Sequence, residues 1–186
     1  MKLRKIDKIH EGRFITRYDL TYETAKGNEK VYEMISRNKN IDCEEALKGK
    51  DPEAVVIIVF DEDKEHILIN KEFRMPTGQW IYNFPAGLID EGEDAKAAAA
   101  RELREETGLE LIAIDDVIGV SYSAIGFSNE KNICVVGRAK GTFRLSDSEF
   151  EEIEQGWYSK EEVAKLLKTE FFAARTQAFC YMWSRS

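Results

Sequence analysis

Apolar positions recur along the chain with two different periods, and the switches between those periods mark a series of strands and helices. Residues 12–24 and 30–37 alternate apolar and polar side chains as β-runs, with Lys26-Gly27-Asn28 supplying turn chemistry between them. An N-terminal antiparallel β-hairpin is therefore expected. Residues 39–52 are polar and contain Asp51-Pro52, which reads as a junction. The aliphatic run Ala54 to Phe60 suits a strand buried on both faces. Asp61-Glu62-Asp63-Lys64 turns the chain, and His66 to Phe73 returns as a second strand. Residues 94–106 form a helix in this reading, because alanine at 95 and 97–100 favours it and Gly108 stands where a C-terminal stop belongs.

Further strands are expected at 113–121 and 131–139. Ser159-Lys160-Glu161-Glu162 is a capping box that opens a helix running to about Lys168. Phe171 to Trp183 reads as a last helix with an aromatic face. Strands and helices interleave, so the fold class is α/β (α+β), a mixed or antiparallel sheet between helical layers. No internal repeat or low-complexity linker interrupts it. Residues 1–50 read as a β extension, and 51–186 as the main domain.

Composition narrows the partners more than the fold. The chain has 186 residues, 43% hydrophobic and 33% charged, the balance of a soluble globular protein. Its formal charge is −8. There is no excess of cations to neutralise a polyphosphate backbone or an anionic bilayer, so neither nucleic acid nor a membrane surface is an expected partner. A small phosphorylated ligand stays open, since a divalent cation supplies positive charge locally. Cys43, Cys134 and Cys180 are scattered and odd in number, and read as reduced, partly buried thiols. The basic residues of Met1–Lys8 have no apolar stretch behind them, and the longest aliphatic run is too short to span a bilayer. A cytoplasmic location is expected.

The candidate chemistry sits on the 94–106 helix and its approach. At 3.6 residues per turn, Glu102 and Glu106 lie within about 40° of one another, and Glu105 widens the carboxylate arc to about 100°. Ala95 and Ala99 occupy the same line toward the N-terminus, where small side chains allow close approach to a sheet. Hard oxygen ligands on one rigid face suit Mg²⁺, with Mn²⁺ as the substitute. A salt-bridged surface helix would show the same composition, so the helix alone does not decide.

The surrounding string decides. From Gly87 through Glu93 to Arg101-Glu102-Leu103-Arg104-Glu105-Glu106-Thr107-Gly108-Leu109 the chain matches G-x5-E-x7-R-E-U-x-E-E-x-G-U (U aliphatic) at every position. At average residue usage a chance match is on the order of 10⁻⁹ per starting position. The segment resembles the Nudix box. That resemblance implies an α/β/α sandwich, here with an N-terminal hairpin added, that hydrolyses a nucleoside diphosphate linked to another moiety.

The flanks, Asn70-Lys-Glu-Phe-Arg74-Met-Pro76 and Phe84-Pro85-Ala86-Gly87, are similar to the ADP-ribose pyrophosphatase branch. Carried over residue by residue, the resemblance makes Glu102, Glu106 and Glu105 metal ligands, joined by the carbonyl of Ala86. Glu93 supports the box, and Arg101 orients a glutamate through an ion pair. Arg74 is a candidate for the diphosphate, because a guanidinium fits phosphate oxygens as a fork. Tyr32 with nearby Arg37 aligns for adenine recognition; the alternative for Tyr32 is a half-buried strand tyrosine. The hairpin resembles the segment by which that branch forms intertwined dimers, which implies a homodimer.

Two departures stand near the expected substrate. Asn83 replaces the usual glutamate before the Leu/Phe-Pro-Ala-Gly element, and Ser123–Glu130 keeps Gly126, Ser128 and Glu130 of a familiar segment but lacks its proline. The reaction implied is attack of water on a phosphorus of the diphosphate, giving AMP and ribose 5-phosphate from ADP-ribose. The base is expected in the acidic segment 146–154, with Glu152 favoured over Glu149 and Glu151. Other nucleotide sugars, dinucleotides or modified nucleoside triphosphates are the alternative substrates. A non-catalytic ligand sensor is the competing class.

Overall fold

The computed structural model describes residues 1–146 and 150–186, so Glu149 lies outside the described residues. The chain falls into two compact units: Met1–Glu53 with Val120–Asn132, and Ala54–Gly119 with Ile133–Ser186.

The first unit is built on a three-stranded antiparallel sheet in the order β1 (Lys2–Glu11), β2 (Thr16–Glu23), β3 (Glu29–Ser36). The expected hairpin is β2–β3, with β2 shorter than the expected 12–24 and β3 displaced by one residue from 30–37; β1 was not expected at all. Its sequence, KLRKIDKIHE, is largely polar on both faces, and of its hydrophobic side chains Leu3 and Ile6 pack against this unit's core. A strand with so little to bury carries no period-2 signal. Tyr18, Leu20, Met34 and Ile41 form that core. The buried Tyr18 hydroxyl donates to the Asn38 carbonyl (2.9 Å) and accepts from the Ile41 amide (3.3 Å), tying the polar segment after β3 back to the sheet. That segment holds a short helix, α1 (Glu44–Lys48), inside the stretch read as a junction. Its N-cap is Cys43, which is exposed rather than partly buried.

The second unit is organised by β4 (Ala54–Phe60) and β5 (His66–Arg74), both read correctly as strands. Alternation along β4 divides two cores. Val55, Ile57 and Val59 pack with Leu68, Ala98, Ala99 and Leu103 on the side of α2 (Ala95–Thr107). Val56 and Ile58 pack with Ile67, Ile69, Phe84, Val163 and Cys180 on the opposite side. The latter layer belongs to α3 (Lys160–Thr169) and α4 (Ala174–Trp183). The result is the expected α/β/α sandwich.

The seven-stranded sheet has the order β10 (Ile153–Ser159), β5, β4, β9 (Lys131–Lys140), β8 (Glu110–Tyr122). β6 (Gln79–Asn83) pairs with β5, and β7 (Ala86–Leu88) with β4. β6, β7 and β10 were not read from the sequence; the first two are short, and β10 carries polar residues and Gly156. The last helix starts at Ala174, not Phe171. Backbone bonds link Tyr82 to Phe171 (2.8 Å) and Ala173 to Tyr82 (2.9 Å), holding Phe171 and Phe172 extended along β6. Among the described residues no helix is long and apolar enough to cross a membrane.

Candidate active site

Asp94 caps α2, accepting from the amides of Lys96 (2.9 Å) and Ala97 (2.8 Å). Gly108 ends the helix with a left-handed φ of 79°, and its N–H reaches the Arg104 carbonyl. Between these stops Ala98, Ala99 and Leu103 are fully buried against the sheet. The small residues therefore bring the helix close to the strands, and the glutamates one turn on are carried to the strand ends.

The three box glutamates meet different surroundings. Glu106 is buried, and its Oε2 accepts from Asn70 Nδ2 at 2.7 Å. A second donor is the backbone N–H of Ala86. Burial, followed by the like charges of Glu72, Glu102 and Glu151, pushes the Glu106 carboxyl well above the usual carboxylate range. Glu102 is raised too, first by burial and opposed by Arg101. Glu105 is the most open of the three, with 44% of its side chain exposed against 15% for Glu102.

Arg101 ties this face together. Its guanidinium bonds Glu93 through Nε (3.1 Å) and Nη2 (2.8 Å), Glu102 through Nη1 (2.8 Å) and the Leu88 carbonyl through Nη2 (2.9 Å). A longer bond reaches Glu105 at 3.4 Å. Arg101 thus pairs with three glutamates of this segment. Gly87 lies directly over Glu102: a Cβ there would come within 1.9 Å of the Glu102 Cδ.

Two strands add residues that the sequence did not single out. Side chains on β5 alternate, so Leu68, Asn70 and Glu72 share one face. Glu72 is buried, accepts from Arg74 Nη1 at 3.3 Å, and also accepts from the side chain of Asn83. Burial raises its carboxyl, and Arg74 is the larger of the opposing influences. Asn70 and Asn83 are cross-strand partners. Two adjacent buried amides thus each donate to one glutamate, Asn70 to Glu106 and Asn83 to Glu72. This gives the departure at position 83 a physical reason: a glutamate there would confront Glu72. A polar pair interrupting an aliphatic strand was the signal available in Asn70 and Glu72.

β10 explains how the acidic segment arrives. Ile153 pairs with Glu72 across the β10–β5 ladder, so the residues just before it lie at the same end of β5 as Arg74. Glu151 acts electrostatically on Glu72, Glu102 and Glu106. Glu152, favoured from sequence, gives its carbonyl to the Phe73 amide at 3.0 Å. Gln155, also missed, donates to the Glu106 carbonyl at 2.5 Å and ties the base of α2 to β10.

The first unit gathers the candidate nucleoside contacts. Arg37 Nε pairs with Glu130 Oε2 at 3.1 Å, and the Tyr32 hydroxyl donates to the Gly126 carbonyl. Ile35 N–H meets the Phe127 carbonyl at 2.8 Å, so the 123–130 segment lies against β3. A cavity of about 190 Å³ is lined there by Ile35, Arg37, Ser123, Phe127 and Glu130, among others.

The sequence profile of the NUDIX domain matches residues 50–178. The chain belongs to the Nudix hydrolase family. The ADP-ribose pyrophosphatase of Saccharomyces cerevisiae is 29% identical over 163 residues, 82% of this chain and 68% of that protein. The ADP-sugar pyrophosphatase of Mus musculus is 36% identical over 103 residues, 54% of this chain but only 44% of the mouse protein. The chain thus spans less than half of that relative's length. A crystal structure of an ADP compounds hydrolase superposes with a TM-score of 0.73 at 22% identity, covering 100% of this chain and 93% of that one. At that identity the likeness concerns the fold, which is the Nudix fold.

In this Nudix protein the donor set on α2 fits a hard divalent cation. Glu72, Glu102 and Glu106 crowd negative charge into a partly buried space, while Arg101 is committed to Glu93, Glu102 and Glu105. Among the described residues no group of three or more carboxylate, histidine or cysteine side chains stands together as a ready-made metal site. An ion that keeps positions for water and phosphate oxygens suits such an open arrangement.

Proposed function

We propose that this pyrophosphohydrolase acts on ADP-ribose or a related nucleoside diphosphate sugar, releasing a nucleoside monophosphate and a sugar phosphate. The observation that carries the reading is the face of α2, where Glu102 and Glu106 are held by Arg101, Asn70 and Ala86 beneath Gly87. When bound, Mg²⁺ neutralises phosphate oxygens and acidifies a water. Glu102 and Glu106, with Glu105 and the carbonyl of Ala86, would hold it. Arg74 binds the diphosphate, its side chain standing 56% exposed beside Glu72. Arg37, Glu130 and Tyr32 recognise the nucleoside.

Water adds to a phosphorus, the bridging P–O bond breaks, and the water's proton passes to a loop carboxylate. We assign that role to Glu151 in place of Glu152, on the strength of its influence on three site carboxylates. We further propose that the protein works as a homodimer, an expectation that light scattering on the full chain checks.

The deciding measurement is a panel of ADP-ribose, other nucleotide sugars, dinucleotides and a modified nucleoside triphosphate, with Mg²⁺, Mn²⁺ or EDTA. AMP release from ADP-ribose, abolished by EDTA, is the expected result. Undiminished turnover in EDTA, or preference for the triphosphate, would overturn the reading. The neutral Asn83 in place of glutamate favours extending the panel across leaving sugars.

Asn70→Leu provides a second test. It removes the Asn70 side-chain donor to Glu106 while keeping side-chain bulk. Residues that orient metal ligands typically contribute about 10–100-fold to affinity or activity. Mg²⁺ titration of turnover should shift upward by that order; an unchanged titration would remove Asn70 from the assignment.

A further inference from the structure

Beyond the metal helix, a buried polar chain runs from α4 to the guanidinium at the end of β5. Thr176, on α4, is fully buried, and its Oγ1 accepts from the Phe84 N–H at 3.1 Å. The same hydroxyl donates its proton to Asn83 Oδ1 at 3.0 Å. With Oδ1 so engaged, the amide of Asn83 presents its NH₂ on the face that Asn70 and Glu72 share, opposite Asn70 and diagonal to Glu72, whose carboxyl it holds down as a hydrogen-bond donor. Glu72 in turn accepts from Arg74.

We propose that Thr176 and Asn83 are positioning residues that fix Glu72 and, through it, the Arg74 guanidinium for diphosphate binding. The inference rests on the reading that Arg74 binds the diphosphate. Glu72 stands among like charges, from Glu106 and from Glu151, and a carboxylate so placed swings away unless donors hold it. Arg74 is long, half exposed and at a strand end, so ordering it costs side-chain entropy at the moment of binding. A relay anchored in the fully buried Thr176 meets that cost during folding.

Without the Thr176 hydroxyl the Asn83 amide loses the bond that fixes its position, its NH₂ is held less firmly on Glu72, and the carboxylate is freer to leave Arg74. The relay predicts a change in KM rather than kcat, because Arg74 acts in this account on ground and transition states alike.

The experiment is steady-state kinetics with ADP-ribose on the full chain, with Thr176→Val, Thr176→Ser, Asn83→Asp, Arg74→Ala and Thr176→Val in the Arg74→Ala background. Thr176→Val should raise KM about three- to tenfold with little change in kcat. Asn83→Asp, which keeps the shape but offers no NH₂, should do at least as much. Thr176→Ser keeps the hydroxyl and should restore KM, although its lost buried methyl lowers the melting temperature. Arg74→Ala should raise KM further, and adding Thr176→Val to it should change nothing more.

If Thr176→Ser follows Thr176→Val in KM, the threonine is only packing and the relay is wrong. If Thr176→Val keeps its full effect without Arg74, the chain ends elsewhere, and the relay is again wrong. A normal KM in Arg74→Ala alone instead removes the diphosphate reading of Arg74. Should Thr176→Val fail to fold, Asn83→Asp and Thr176→Ser carry the same comparison.

Discussion

Glu106→Gln is expected to lower kcat by about a thousandfold and, in the same variant, to raise the melting temperature of the metal-free protein. The loss follows from removing the charge of a proposed metal ligand in a partly buried site, where fixed charges contribute most to transition-state stabilisation. The gain follows from the native environment of the carboxyl. Burial and three neighbouring carboxylates raise its pKa above the unfolded value. A carboxyl raised on folding binds its proton more tightly in the native state, so its effect on stability is unfavourable once the pH exceeds the unfolded pKa. That penalty grows with pH until the folded pKa is passed. Glutamine carries no charge and retains an oxygen that accepts from Asn70. The excess in melting temperature over wild type should therefore be small near pH 4 and larger at neutral pH. Each kcal/mol relieved corresponds to about 2–4 °C in a chain of this size. Saturating Mg²⁺ should stabilise wild type and not the variant, closing the gap. Calorimetry with and without Mg²⁺ across that pH range checks all three. A variant less stable than wild type in EDTA would show that the buried charge is compensated by something other than a cation.

Gly87→Ala is expected to fold and to lose about a hundredfold or more in kcat/KM. Its backbone is outside the left-handed region that demands glycine, so alanine brings no conformational penalty there. What it brings is a methyl in the space of the Glu102 carboxylate, 1.9 Å from Cδ. The far end of a glutamate can swing aside, so the fold yields little. The swing nevertheless breaks the 2.8 Å bond to Arg101 and withdraws Glu102 from the proposed metal-binding face. A misplacement of about 1 Å in such a constellation costs on the order of a hundredfold. In a Glu102→Ala background the methyl has nothing to displace, and the double variant should match Glu102→Ala alone. An additive double variant would locate the Gly87 effect in the loop backbone instead.

Much of this was written along the chain. The box is local: its helix has a cap, a stop and a ligand face within consecutive residues, and short-range sterics and hydrogen bonding set all three. The aliphatic run of β4 announced a doubly buried strand for the same reason, since burial on both faces leaves no polar position. The capping box at Ser159 was equally legible, and the structure contains both of its reciprocal bonds.

Other parts have no local signature. β1 is a strand because β2 offers its edge, not because its own side chains demand it. β6 and β10 pair with β5, and only that pairing brings Asn83 beside Glu72 and Glu151 toward Glu106. In the sequence Asn83 stands 11 residues from Glu72 and Glu151 stands 45 from Glu106, and beyond the polar interruption of β5 nothing in their spacing brings these groups together. By itself the sequence determined the Nudix box, the strand–helix alternation and the set of carboxylates available for a cation. Tertiary structure decided which carboxylates are buried together, which amides hold them and which cations stand beside them. The reason is range: caps and periods are contests among neighbours along the chain, whereas desolvation and like-charge crowding exist only once distant strands are hydrogen-bonded into one sheet.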